Sequence, residues 1–216
     1  MNKDQYFILS ELFKYPKEGY QENVRQCMFM LQEKYPDAAK SFERFHNYIQ
    51  GKTLYEVEEV FGFTFHIQAI CFLDVGYVLF GEDYTRGEFL VNMKAEQAKI
   101  NHDCEEELAD NLPHVLQLMA ISDDKDFVDE LAVRAVIPAL EKMLVEFKAS
   151  RTELRKKIMK KKQKAIIMED IQEGNIYQNA LQALLIVLQT DFAGIDFGDE
   201  KIEQSLSNFI PDCGTC

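Results

Sequence analysis

Apolar side chains recur at helical spacing along almost the whole chain, which leaves little room for any element but helices. Ile8, Leu9, Leu12 and Phe13 share one face of a first predicted helix, which has to stop before Pro16. Val24, Cys27, Met28 and Leu31 mark a second, ending before Pro36. Phe42, Phe45 and Ile49 mark a third, with Gly51 as its C-terminal stop. Thr53-Leu54-Tyr55-Glu56 is a capping-box sequence, in which hydroxyl and carboxylate each satisfy a backbone N–H left over at a helix start, so a short helix is predicted from there to about Phe61. Phe61, Phe63 and Phe65 then alternate as in a strand, but no partner strand is evident, and 62–66 reads as an extended connector with its aromatic rings in the core. Ala69 to Phe80 reads as a buried helix. Further apolar faces follow at Phe89, Leu90, Met93, Gln97 and Ile100, and at Leu112, Val115, Leu116 and Met119. Another runs from Phe127 to Phe147, which Pro138 should kink or split, and a last one from Tyr177 to Leu188. The expectation is an all-α, single-domain helical bundle. Its core spans residues 1–150, and 151–216 form a helical extension that carries a basic segment and a cysteine tail.

An apolar fraction of 47% is enough to build a core, and a formal charge of −13 repels nucleic-acid phosphate and favours basic partners. No apolar run reaches the roughly 18–20 residues needed to span a bilayer. The N-terminus, MNKDQYFILSELFKYP, is too polar for a signal peptide. A cytoplasmic protein without membrane insertion is therefore expected, and an odd number of cysteines fits reduced thiols there. There is no Gly-rich phosphate loop, no HExxH and no Gly-x-Ser-x-Gly, so no catalytic residue is assigned.

Two stretches stand out from generic helix. In Tyr77-Val78-Leu79-Phe80-Gly81-Glu82-Asp83-Tyr84-Thr85-Arg86-Gly87 an apolar run ends at a glycine, an acidic pair follows, and Arg86-Gly87 opens an amphipathic segment. Gly81 lets the chain turn, and Glu82 and Asp83 face the positive end of the next helix. Arg86 can reach back to Asp83 or to a helix carboxyl end, and Gly87 permits close helix approach. In Asp110-Asn111-Leu112-Pro113-His114 the Asp is a natural N-cap, and the Pro falls in the first turn, where its missing N–H costs nothing. Taken by themselves, these residues also fit a well-capped helical corner with no binding role.

The order of the two stretches resembles the molybdoenzyme maturation chaperones, in particular the nitrate reductase delta-subunit-like (NarJ/TorD-like) family. Its members carry a Tyr-rich apolar helix, Gly-Asp, a few polar residues and Arg-Gly, then an acidic-Leu-Pro-Asp-x-Leu-Pro stretch and an apolar helix. The matching positions are Tyr77, Gly81, Asp83, Arg86, Gly87, Leu108, Asp110, Leu112 and Pro113, and the likeness covers about Leu54 to Met143. The chain departs from the pattern at Leu108-Ala109-Asp110, where the family has Leu-Pro-Asp, and at Phe61-Gly62, where it has Phe-Asp. The resemblance implies a non-catalytic, cytoplasmic helical chaperone of the redox-enzyme maturation type, with no cofactor of its own. Its partner would be the immature catalytic subunit of a molybdopterin enzyme, gripped by its N-terminal leader. A helical leader would lay its apolar face in a groove built from Tyr77, Phe80, Leu112, Val115 and Leu116. Its basic residues would meet Asp83, Glu106, Glu107 and Asp110, with Arg86, Pro113 and His114 completing the site.

Three features remain. Cys213-Gly214-Thr215-Cys216 offers two thiolates that can share a metal or form a disulfide. A structural zinc site needs four ligands, and Cys104 and His102 could join only through tertiary folding. The principal reading assigns no metal ligand; the alternative is a small helical metal or iron–sulfur carrier using the CxxC. His46, His66, His102 and His114 are scattered, without a paired Cys or Ser nucleophile nearby, and His66 in its Phe-rich stretch is expected in the core. The basic block Arg151–Lys164 reads as a solvated helix docked on acidic neighbours or a second subunit, with anionic lipid, nucleic acid or a pterin phosphate as other ligands of such a block.

Overall fold

The computed structural model describes residues 3–67, 69–104, 106–161 and 176–197. The chain is all-α. Its helices are α1 (Asp4–Ser10), α2 (Tyr20–Lys34), α3 (Pro36–Gln50), α4 (Leu54–Phe65), α5 (Val75–Phe80), α6 (Tyr84–Lys99), α7 (Leu112–Ile121) and α8 (Lys125–Glu130). A π-helical segment (Leu131–Val136), α9 (Ile137–Lys161) and α10 (Tyr177–Asp191) complete them. There is no strand among the described residues, and one isolated antiparallel bridge joins Asp74 to Asn111. No helix among them is long and apolar enough to cross a membrane. The side chains of the basic block 151–164 and the Cys213–Cys216 tail lie outside the described residues.

The described residues form two compact units. One takes its residues from Lys14–Phe72 and Leu140–Val187. Tyr177 is the hub of its core, with ring centroids 5.0 Å from Phe45, 5.7 Å from Phe61 and 5.0 Å from Phe65. Its buried hydroxyl lies 3.0 Å from that of Tyr20. Such edge-on aromatic contacts add about 0.5–1.5 kcal/mol per pair beyond the area they bury. The capping box forms as the sequence requires: Thr53 accepts from the Glu56 N–H, and the Glu56 carboxylate accepts from the Thr53 N–H at 2.8 Å. Those hydrogen bonds hold the Glu56 carboxyl down to about 2.

Helix α4 overturns the extended connector expected at 62–66. Val57, Phe61 and Phe65 repeat every four residues, and with Val60 and Thr64 they make one buried helical face, while Phe63 is 54% exposed. The alternating reading counted Phe63 as inward; the four-residue spacing wins because it buries Val57, Phe61 and Phe65 on one stripe of a helix. His66 is exposed, not a core residue, and its ring rests 5.4 Å from that of Phe61.

The other unit takes its residues from Met1–Phe13, Leu73–Ala139 and Leu188–Cys216. Helix α1 packs on α7, and Tyr6 and Gln5 donate to the Asp191 carboxylate at 2.7 and 3.0 Å. Phe89, Met93, Leu112, Val115, Leu116, Met119 and Leu131 are fully enclosed, each side chain of this kind contributing about 1.5–3 kcal/mol through burial. The helix expected over 69–80 is shorter than the apolar run, because Leu73 lies in a bend and Asp74 is extended. The Leu73 carbonyl accepts from the Leu112 N–H, and the Val75 N–H donates to the Asp110 carbonyl, both at 2.9 Å. Backbone pairing with 110–112 takes the place of a helical turn. At Pro138 the helix does not break: the π-helical segment passes straight into α9. A proline there removes a backbone donor and crowds the carbonyl four residues earlier, and a widened turn accommodates both.

Candidate functional site

The two singled-out stretches meet in one place. Helix α5 starts at Asp74, and the carboxylate of Asp110, 34 residues away, accepts from the Gly76 N–H at 3.0 Å. Asp110 therefore caps α5 from outside rather than its own helix; Asn111 holds the N-cap position of α7 and donates from its side chain to Asp74 at 3.2 Å. The approach depends on glycine. A Cβ at Gly76 would lie 2.8 Å from Asp110 Oδ2 and 2.8 Å from Phe89 Cδ1. Arg86 completes the cluster: Nη2 lies 3.6 Å from Asp74 Oδ2, Nε lies 3.8 Å from Asp110 Oδ2, and the guanidinium sits 5.1 Å from the Tyr77 ring centre. It turns to these groups and not to Asp83, where the sequence also allowed it.

Asp110 is fully buried. Burial and the neighbouring Asp74 charge push its carboxyl up to about 6, against the opposing pull of Arg86 and the Gly76 N–H. Arg86 Nε and Asp110 Oδ1 have no hydrogen-bond partner among the described residues. The pair is thus in electrostatic contact without a close hydrogen bond, a geometry in which desolvation outweighs much of the attraction.

Other acidic and apolar side chains of the two stretches and of the segment before α7 are exposed. Asp83 is exposed and caps α6, accepting from the Thr85 N–H at 2.9 Å and the Thr85 hydroxyl at 2.6 Å; those bonds lower its carboxyl below the usual range. Glu106 and Glu107 are exposed beside Leu108, itself 44% exposed. Tyr77, Phe80 and His114 are half-buried, Phe80 resting edge-on against Phe89 at 5.7 Å. Leu112, Pro113, Val115 and Leu116, expected to line a groove, are buried instead. They point into the core because α7 has apolar residues on most of its circumference and packs on α1. Asp110, expected on an acidic rim, is interior for the reason already given. Gly87, expected at a helix crossing, has nothing within 4 Å of where its Cβ would be.

A second cluster was seen only in part from the sequence, which offered Cys104 and His102 as partners of the CxxC tail and left His114 out. Helix α6 ends in a left-handed turn: Asn101 has φ 53°. The Asn101 N–H donates to the Ala98 carbonyl and the His102 N–H to that of Gln97, the paired bonds of a Schellman stop. Buried Gln97 then holds the returning segment, donating to the Ala109 carbonyl at 2.8 Å and accepting from the Cys104 thiol at 3.1 Å. His114, in the first turn of α7, lies with its Nδ1 3.0 Å from His102 Nε2. The Cys104 sulfur and a nitrogen of each histidine all lie within 4.8 Å of one another. Burial raises the Cys104 thiol above its ordinary value, the opposite of an activated nucleophile. Of the signals that could have found these features, Gly76 inside an apolar run was one, since a helical glycine often marks close approach. Nothing in the spacing of His102, Cys104 and His114 announced their meeting.

No protein-family model matches the chain, and no curated protein matches it.

Proposed function

We propose that this chain is a cytoplasmic maturation chaperone, which binds the immature catalytic subunit of a molybdopterin oxidoreductase, of the nitrate reductase kind, and keeps it competent for cofactor insertion. It acts by binding and not by catalysis. The observation that carries the reading is the lock at Asp110. The two stretches on which the resemblance rests, Tyr77–Gly87 and Asp110–His114, are far apart in sequence, yet they are joined through Gly76, Arg86 and Asp110. A motif whose halves are fixed to each other is what a shared recognition surface requires.

In this reading the residues divide by exposure. Leu112, Pro113, Val115 and Leu116 shape the surface from beneath. Asp83, Glu106 and Glu107, with Leu108, Tyr77 and Phe80, face the client's basic, apolar leader. The carboxylates contribute mainly encounter rate and orientation, and the apolar side chains most of the affinity.

The test is calorimetric titration of the chain with the leader peptide of a molybdopterin subunit encoded beside it. Wild type binds, and a Glu106→Lys/Glu107→Lys/Leu108→Asp variant binds about tenfold more weakly or worse, a loss of about 1.4 kcal/mol. Its substitutions lie at exposed positions, so the fold survives them. Equal affinity of the two proteins, or no binding by wild type to either the leader or the whole unloaded subunit, overturns the proposal.

A further inference from the structure

We infer that His102, Cys104 and His114 form a binding site for a divalent cation of borderline softness, Zn2+ being the ion their chemistry fits best. The inference is independent of the client-binding reading.

The donor set is the first argument. Two imidazole nitrogens and one thiolate match the preference of Zn2+ for nitrogen and sulfur, and three protein ligands with a fourth position left to water is the arrangement of open zinc sites. Hard cations such as Mg2+ and Ca2+ take oxygen and are disfavoured here.

The spacing is the second. With Zn–N near about 2.0–2.1 Å and Zn–S near about 2.3 Å, tetrahedral ligands stand roughly 3.3–3.6 Å apart. His102 Nε2 and His114 Nδ1 are already 3.0 Å apart, and all three donors fall within 4.8 Å. An ion entering between the imidazoles would spread them by a few tenths of an ångström and draw the sulfur in by at most about 1.3 Å, which side-chain rotation supplies.

The third argument is that separate backbone devices bring each ligand to the site. The Schellman stop of α6, with Asn101 in the left-handed region, fixes the backbone of His102. The first turn of α7 fixes His114. Gln97, itself 2% exposed, orients the Cys104 sulfur while its amide holds the Ala109 carbonyl. The hydrogen bond to Gln97 sets the sulfur beside the two imidazoles before any ion enters. Bound metal would tie the segment after α6 to the start of α7, next to Glu106, Glu107 and Leu108. On binding, the thiol proton is released to solvent; the thiol–Gln97 and imidazole–imidazole hydrogen bonds are exchanged for one metal–sulfur and two metal–nitrogen bonds.

The cysteine tail is the obvious competitor, so the experiment removes it. Untagged Cys213→Ser/Cys216→Ser protein, prepared without oxygen and stripped of metal, is titrated with Co2+ and then Zn2+. Cys27 and Cys71 are buried, which leaves Cys104 as the half-exposed thiol of the described residues. The expected result is one equivalent of Co2+ with tetrahedral ligand-field bands and a near-ultraviolet thiolate-to-metal charge-transfer band, both erased by stoichiometric Zn2+. Adding Cys104→Ser removes the charge-transfer band. His114→Gln weakens Co2+ binding by more than the about 10–100-fold that loss of an outer-shell partner costs. His102→Gln does the same and serves where another variant fails to fold. If the tail-free protein shows no charge-transfer band, or keeps it after Cys104→Ser, the site is not there.

Discussion

Gly76→Ala separates what local propensity and tertiary packing each demand. Alanine is the better helix former, and in an open helical position the change stabilises by about 1 kcal/mol. At Gly76 the added Cβ would meet Phe89 Cδ1 and Asp110 Oδ2, each at 2.8 Å, closer than real Cβ atoms approach. Phe89 is fully buried and cannot swing away, so overpacking costs about 1–3 kcal/mol. Moving the Asp110 carboxylate off the Gly76 N–H loses a buried charge-assisted hydrogen bond worth about 1.5–3 kcal/mol. The two costs outweigh the propensity gain, and a net destabilisation of about 2–4 kcal/mol is expected. Gly87 is the internal control. It lies in α6, is exposed, and meets nothing within 4 Å, so Gly87→Ala should stabilise by about 0.5–1 kcal/mol. Urea unfolding of wild type and both variants, monitored by far-ultraviolet circular dichroism, reads the two signs directly. If Gly76→Ala is as stable as wild type, the close packing of α5 on Asp110 and Phe89 is wrong.

The raised carboxyl of Asp110 gives a pH signature. Its folded value of about 6 exceeds the ordinary 3.8, so the stability linked to its proton is full below about pH 4 and is lost as pH rises through about 6, a fall of about 3 kcal/mol. Measured as the difference in unfolding free energy between wild type and Asp110→Asn, the fall belongs to wild type alone; parallel pH profiles would contradict it. Leu116→Ala, at a fully buried position in α7, should cost about 2–5 kcal/mol in the same unfolding assay, whereas a groove-lining leucine would cost little.

Much of the fold was legible because helix periodicity is a local signal. The capping box at Thr53 and Glu56 and the Asp83 cap of α6 follow from side chains acting within three residues of themselves. At 62–66 two local periodicities competed and the helical one won; the failures around the site share another cause, competition from a distant segment. Leu73 and Asp74 lie in a run that reads as helix, yet backbone pairing with 110–112 keeps them out of one. Asp110 reads as a cap for the helix that follows it, and instead caps α5. Apolar spacing marked Leu112, Val115 and Leu116 as one face, but could not say whether that face meets a client or α1. His102, Cys104 and His114 are brought together by a helix stop and a helix start, and only the folded chain juxtaposes them.

The lock is better understood as a positioning device than as a source of stability. Replacing such an ion cluster with apolar groups is often neutral or stabilising, while removing one partner costs about 3–5 kcal/mol. Contacts of 3.6 and 3.8 Å from Arg86, with Nε and Asp110 Oδ1 unsatisfied among the described residues, place this cluster in that class. What it does achieve is registry, because the Asp110 carboxylate, with the backbone pairing of 73–75 and 110–112, holds α5 and the start of α7 at one distance. The segment between α6 and α7 carries Glu106, Glu107 and Leu108 and also His102 and Cys104, so its C-terminal anchor serves both proposed sites. Loosening the lock with Gly76→Ala should therefore weaken leader binding and Co2+ binding together. The Glu106→Lys/Glu107→Lys/Leu108→Asp variant should weaken the first and leave the second, since none of its residues is a ligand. Were Gly76→Ala to remain folded and impair neither, the lock would be a local detail of α5 and the registry argument would fall.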